Sequence, residues 1–392
     1  MNHKYEVVII GGGASGMAAA IELKMLNPGL NVALLEKNDS LGRKIRATGN
    51  GRCNITNKQA NGYMEIMKFL MKIGVVTRSC DSDLVYPYSE SAADVVELLT
   101  ARVKELGVDI ITDTTVTKVE YEETCGNNCS TTGCDKAITY YTYLKPMNAN
   151  SPADLPYIMS DNLVLALGGK AGPAYGTTGD GYAIAKSLGH SVVTPIPVLT
   201  SVECEDWDAS LAGIRARGVV SLYNNGEELF EEAGEIQFTK YGLSGICIFN
   251  MTRFMRYNRA EGESLDQFQI KLNLFPEGDI NELVSVSGRD DVLRTVLKKE
   301  LADYVTKKGI ESIHELTFIP SAVRGWKDAQ VASGGVDLGE INPETCESRI
   351  CQGLYITGEL LDYDGPCGGY NLSNAWLTGL KAARSIAGNE SL

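Results

Sequence analysis

Histidine, basic stripes and long apolar runs are what this chain has little of. Its three histidines, His3, His190 and His314, lack a set of metal-ligand companions at sensible spacing, so no metal is expected. His190 follows a helical run as a C-terminal cap neighbour, and His314 falls at a loop or helix end. No apolar segment reaches the roughly 18 to 20 residues that cross a bilayer. Strand-forming residues begin by Tyr5, which leaves no room for a secretion signal ahead of them, so a cytoplasmic protein without a membrane partner is expected.

Lys and Arg are outnumbered, giving a formal net charge of −14 and a pI near 4.8, and they are scattered. That balance argues against a nucleic-acid partner. Ten cysteines in 392 residues are too few for a disulfide scaffold. Only Cys125, Cys129 and Cys134 cluster, in TCGNNCSTTGCDK, without a paired CxxC or a fourth ligand nearby.

The length exceeds what one core usually supports, so two or three substructures are expected. The chain starts with YEVVII, GGGASGMAAAIELKMLN and NVALLEK, which read as strand, tight turn, helix and strand. In such a βαβ unit Gly11 permits the sharp turn, Gly13 lets a diphosphate approach the backbone, and Gly16 allows close packing. The N–H groups and positive dipole end of the helix face the phosphates. Glu36 ends the second strand, where a carboxylate accepts hydrogen bonds from ribose hydroxyls and disfavours a 2′-phosphate.

SLGRKIRATGNGRCNITN, residues 40–57, combines glycines and basic residues in a polar loop, which suits an anion near Arg43, Lys44 or Arg52. Cys53 has no resolving partner, because the position five residues on is Lys58, so thiol–disulfide chemistry is not expected. Residues 93–107 are helical in pattern, and the following TTVTKVE strand offers Val116 as a neighbour of an adenine. DNLVLALGG runs as a strand to Gly168 and Gly169, and TGDG opens a helix that Gly189 ends. No second GxGxxG is present, so a separate nicotinamide-dinucleotide domain is not expected.

From residue 198 to 275 short alternating runs and the Asn-Asn-Gly at 224–226 read as antiparallel β structure. Residues 278–316 read as helical, with VLRTVLKKELADYVTKKG inside. Strands return until GLYITGE, whose Glu359 suits ribityl hydroxyls. A helix from about Leu372 to Ala387 follows, with Asn371 or Ser373 as N-cap. Its N-terminus would stabilise negative charge on a reduced flavin. The two ends of the chain then form one domain around one elongated cofactor.

GGGASG, LGRKIRATGNGRCNITN, LALGG, FTKYGLSG, SGGVDLGEINPETCESR and GLYITGELLDYDGPCGGYNLSNAW together resemble the BaiN-like (YhiN-like) bacterial flavoprotein family, also called aminoacetone-oxidase-family FAD-binding enzymes. The resemblance covers essentially the whole chain. It implies an α/β fold of the glutathione reductase superfamily: a split Rossmann-like FAD-binding domain with an inserted antiparallel β-barrel-like domain and a small helical subdomain. The corresponding bounds are 1–195 and 331–392 for the FAD domain, 196–276 and 313–330 for the insert, and 277–312 for the helical part. The cofactor implied is non-covalent FAD, with contacts from Gly13, Ala14, Ser15, Glu36, Arg43, Lys44, the Gly49, Gly51, Arg52, Cys53 and Asn54 loop, Val116, Gly358, Glu359, Asn371 and Leu372. Gly11, Gly16, Lys37, Gly168 and Gly369 complete that set from adjoining positions.

Two departures stand out: Lys240 replaces the family's His in FTHxGLSG, and Cys346 and Arg349 alter its MESK segment. Lysine titrates far above histidine, so a proton-transfer role would not carry over. The expected activity is an FAD-dependent oxidoreductase moving hydride between flavin N5 and a small organic substrate, a ketone, enone or amino ketone, held between the FAD domain and the insert. NADH or NADPH is a possible transient donor. An oxygen-using oxidase, a non-catalytic electron carrier and an RNA-modifying flavoprotein are the alternatives, the last disfavoured by charge. Arg52, Lys240, Tyr241 and Tyr370 are the acid–base candidates. Trp207, Trp326 and Trp376 read as packing residues.

Overall fold

The computed structural model describes residues 3–79, 83–125, 136–146, 156–255 and 264–388. Cys129 and Cys134 lie outside the described residues. The chain forms two compact units, residues 1–195 with 332–392, and residues 196–331.

The first unit is built on a parallel sheet ordered Asp109–Ile111, Val32–Leu35, Lys4–Ile10, Tyr157–Leu165 and Leu354–Ile356. Both faces are covered, which is why these strands are runs of Val, Ile and Leu without polar alternation. Val7, Ile9, Val32 and Leu34 pack on one side with the helices Ala14–Leu26, Tyr63–Lys72, Ala92–Glu105 and Tyr370–Ile386. The pleat sends Val8, Ile10, Ala33 and Leu35 to the other side, against the helix Asp180–Ser187 and strand residues Val119 and Tyr140.

The strand Tyr157–Leu165 forks the sheet. Its first half pairs antiparallel with Lys136–Pro146, which continues into Thr114–Cys125, and its second half pairs parallel with Leu354–Ile356. The last strand of the chain therefore lies two places from the first, and the helices that follow these two strands pack on each other. Gly379 makes that crossing close: a Cβ there would overlap the Ser15 carbonyl oxygen.

The second unit is one antiparallel sheet, ordered Leu316–Phe318, Phe268–Asn273, Arg215–Asn224, Glu227–Phe238, Gly242–Ser244, Val202–Cys204 and Pro320–Val323. Asn225 and Gly226, at φ 50° and 88°, form the two-residue turn that an Asn-Gly pair favours in hairpins. The edge strands Leu316–Phe318 and Pro320–Val323 are consecutive in the chain, yet no ladder joins them, so no closed barrel forms among the described residues. The expected helical stretch is broken into Ile280–Ser287, Leu293–Val296 and Lys299–Lys308. Gly288 ends the first in a left-handed conformation, and Leu297 turns extended before the third. These helices share one core with the sheet through Leu293, Leu301 and Val305. Among the described residues no helix is long and apolar enough to cross a membrane.

Candidate functional site

The N-terminal turn is shaped by three glycines doing different things. Gly11 adopts φ 111°, and a Cβ on it would overlap the Ala166 carbonyl. On Gly16 a Cβ would overlap the Gly11 carbonyl, so this glycine closes the turn on itself and does more than bring helix to sheet. Gly13 differs: a Cβ would meet nothing within 4 Å. The helix starting at Ala14 has no side-chain cap to accept from its first-turn N–H groups at Ala14, Ser15 and Gly16. Such a cradle suits a diphosphate.

Glu36 is held where the second strand ends. Its carboxylate accepts from Gly12 N at 2.9 Å, Asn38 N at 2.9 Å and Asn38 Nδ2 at 2.6 Å. Three of about four acceptor positions are thus used, leaving room for a hydroxyl donor. Arg43 donates to Asn38 Oδ1 at 2.8 Å and so braces Glu36 through the amide. The sequence reading missed Asn38, which carried no signal there and whose backbone and side-chain N–H both donate to Glu36. Val116 is buried, and the chain before it bonds to this strand end, Asp113 N to Asn38 O and Thr114 N to Glu36 O. Lys37 turns elsewhere, donating to Asp180 Oδ2 at 2.5 Å and Thr178 Oγ1 at 2.6 Å. Gly168 is left-handed, just beyond the strand, which ends at Leu165.

The 40–57 loop is wound through left-handed residues: Gly49 at φ 57°, Asn50 at 55°, Gly51 at 84° and Cys53 at 59°. Non-glycine residues there are strained, and such strain is held where surrounding structure imposes it. Just beyond these residues the chain is fastened to the C-terminal helix and the turn before it. Trp376 Nε1 donates to Ile55 O at 3.0 Å, Thr56 Oγ1 meets Ser373 Oγ at 2.7 Å, and Asn57 Nδ2 donates to Gly368 O at 2.9 Å. Arg52 is exposed at the tip, its guanidinium over the Tyr86 ring at 5.2 Å. Tyr86, on the strand Leu84–Pro87, carried no sequence signal.

Cys53 has no exposed surface, and burial pushes its thiol up to about 11 while a hydrogen bond with Thr48 pulls the other way. It is a packing residue and not a thiolate. Iodoacetamide at about pH 8 is therefore expected to leave Cys53 unmodified in the native protein and to alkylate it fully after denaturation, as read by peptide mass spectrometry. Labelling of the native protein at Cys53 would contradict this placement.

At the far end, Gly358 takes φ 69°, and a Cβ on it would sit 2.8 Å from Ser15 Oγ, so the last strand delivers Glu359 beside the first helix start. Glu359 Oε2 accepts from Lys44 Nζ at 2.6 Å, and Oε1 accepts from Ala332 N at 3.0 Å. The following helix is Tyr370–Ile386, and its N-cap is Gly369, without a side-chain cap. Neither expected cap serves. Asn371 clamps the preceding turn, accepting from Gly365 N at 2.7 Å and donating to Gly365 O at 2.8 Å. Ser373 is drawn to Thr56 and to Gly369 O. Gly369 is needed because a Cβ would come within 2.7 Å of the Thr56 carbonyl. Tyr370 and Leu372 lie half-buried on the first turn of this helix.

Lys240 and Tyr241 belong to the second unit, in the turn between Glu227–Phe238 and Gly242–Ser244. Lys240 is exposed, and Tyr241 lies under the Arg324 guanidinium at 4.8 Å. Arg324 in turn donates to Glu203 at 2.9 Å and Asp328 at 3.1 Å. His190 is buried between Glu340 Oε2 and Ser348 Oγ, both at 2.9 Å. Ser348 Oγ also accepts from Ile350 N and Cys351 N, so its O–H is directed at Nε2 and the trio is an internal staple. His314 Nε2 accepts from Ile280 N at 3.3 Å and serves the start of that helix.

The family model described as the HI0933-like protein Rossmann domain matches residues 5–65 and 147–385. The 3-dehydro-bile acid delta(4,6)-reductase of Clostridium scindens is 32% identical, over 97% of this chain and 98% of that protein. The ribosomal RNA dihydrouridine synthase of Haemophilus influenzae is 25% identical, over 99% of this chain and all of that one. Among solved structures, the open conformation of a flavocytochrome c3 fumarate reductase superposes with a TM-score of 0.51 at 14% identity, over 99% of this chain and 79% of that one. The last of these is a likeness of fold.

Proposed function

Because the chain belongs to the HI0933-like Rossmann-domain family and is an FAD-dependent oxidoreductase, we propose that it reduces a carbon–carbon double bond conjugated to a carbonyl in a small organic substrate. The observation that carries the choice of bond is chemical. A 3-oxo steroid with Δ4,6 unsaturation and the uracil ring of uridine share one feature, an alkene polarised by a carbonyl, and relatives are named for reducing each.

The residues fit FAD. Two helix starts without side-chain caps, at Gly13 and Gly369, accompany two strand-end carboxylates, Glu36 and Glu359, and the open space at Gly13 receives a diphosphate. Bound FAD supplies hydride from N5 and takes up two electrons from a donor such as NADH or NADPH. In this reading Ala14, Ser15 and Gly16 bind the diphosphate through backbone N–H, Glu36 binds the ribose and Glu359 the ribityl chain. Gly358, Asn371 and Leu372 line the flavin end, and the N-terminus of the Tyr370–Ile386 helix stabilises negative charge there. Conjugate reduction adds hydride to the β-carbon and a proton to the α-carbon, breaking the π bond. Arg52, steadied over Tyr86, offers N–H donors to the substrate carbonyl, and the Tyr370 hydroxyl is the proposed proton source. The net charge of −14 supports a small molecule over RNA.

Anaerobic reduction of the flavin followed by mixing with a cyclic enone, a uridine-containing RNA or oxygen tests this. The expected result is rapid reoxidation by the enone with a product two mass units heavier. Reoxidation by oxygen alone identifies an oxidase and removes the proposal. Reoxidation by RNA alone moves the substrate to the uridine class.

A further inference from the structure

We infer that Lys44 acts on the flavin through Glu359, as its positioning residue, and is not a phosphate ligand. This rests on the FAD reading above and asks what a basic residue in the glycine-rich loop is for.

Glu359 is set in place from three sides. Lys44 Nζ holds Oε2 at 2.6 Å and Ala332 N holds Oε1 at 3.0 Å. Gly169 forms the third side, where a Cβ would come within 2.7 Å of Oε1. Lys44 and Glu359 are 27% and 18% exposed, so water screens the pair only partly.

The pair also joins the two flanks of the diphosphate cradle. Lys44 lies on the short helix Arg43–Ala47, whose N-cap residue Gly42 donates to Gly12 O at 2.9 Å. Glu359 follows Gly358, which is packed on Ser15. Between those flanks Gly13 stays open. The ammonium of Lys44 is spent on Oε2 of that carboxylate. It also fixes the oxygen that a ribityl hydroxyl must find. Arg43, a second cation of this helix beside Arg46, is committed to Asn38 at 2.8 Å and so supports the ribose end.

The two possible roles of Lys44 separate in a double-mutant cycle on the full-length protein stripped of flavin, with FAD and ADP as probes. ADP fills the ribose and diphosphate positions but lacks the ribityl chain. Lys44→Met and Glu359→Gln are each expected to weaken FAD about tenfold or more, and the double variant no further than the worse single. ADP affinity is expected to stay within about twofold in Lys44→Met, and Lys44→Arg to keep most of the FAD affinity. The melting temperature of the stripped protein should barely change, since a part-exposed pair contributes little to folding. Additive losses in the double variant, or an ADP affinity that falls with that for FAD, would overturn the inference and make Lys44 a phosphate ligand. A wild-type protein that binds ADP and FAD keeps the cofactor reading whatever the cycle gives. One that binds neither loses both.

Discussion

Gly13→Val is expected to give a folded protein that purifies without flavin. A Cβ on residue 13 would point into open space, with nothing but its chain neighbours within 4 Å, so the substitution is expected to leave the surrounding packing in place. In the proposed reading a diphosphate comes within hydrogen-bond reach of the backbone there, and an isopropyl group would keep it out. A loss of at least tenfold in FAD affinity is expected, with circular dichroism and urea midpoint close to those of wild-type protein stripped of flavin. Gly16→Val is the contrasting case three residues on. Its Cβ would overlap the Gly11 carbonyl within the same turn, so helix start and strand end must separate, and the expected result is insoluble or unfolded protein. A Gly13→Val protein that retains full FAD would place the cofactor elsewhere.

The second large effect is on stability. Arg384, on the C-terminal helix, donates to Glu22 Oε1 at 3.1 Å and also bonds Glu65, joining three helices. Glu22 is only 3% exposed. Arg384→Met leaves that carboxylate charged, buried and without its cation, a situation that typically costs about 3–5 kcal/mol. Urea unfolding of the first unit should show a lower midpoint by a corresponding amount. Adding Glu22→Gln should recover much of it, because the uncompensated charge is then gone and the double variant lacks the penalty the single one carries. A single variant as stable as wild type would mean that water reaches Glu22.

These two sites were not equally visible beforehand. The turn at Gly11–Gly16 is local: strand, glycines, alanine-rich helix, strand and acid follow one another between Lys4 and Glu36, and each residue type answers a constraint of its neighbours. Arg384 and Glu22 are 362 positions apart, and nothing in either stretch names the other. The Asn225–Gly226 hairpin was legible for the first reason, since φ above zero at two successive positions selects those residues. The N-cap at Gly369 was misread for the second. Asn371 and Ser373 have good capping chemistry, but the close approach of Thr56 requires glycine at the cap, and the bonds to Gly365 and Thr56 take the two side chains away. The broken helices of residues 280–308 show the same limit. Apolar periodicity continues through Leu297, and only packing on the sheet decides that the chain turns there.

By itself the sequence determined the parts that depend on neighbours along the chain: the βαβ unit, Glu36 at its strand end, the two glycine-rich turns, the hairpin and the absence of membrane-length apolar runs. Tertiary structure alone decided which of the loop's basic residues does what. Arg43, Lys44 and Arg52 read alike as cations in a glycine-rich loop, and the fold sends the first to Asn38, the second to Glu359 and the third onto Tyr86. The reason is physical. A side chain's charge is a local property, but the partner that orients it comes from wherever the sheet and the two crossed helices bring the chain back.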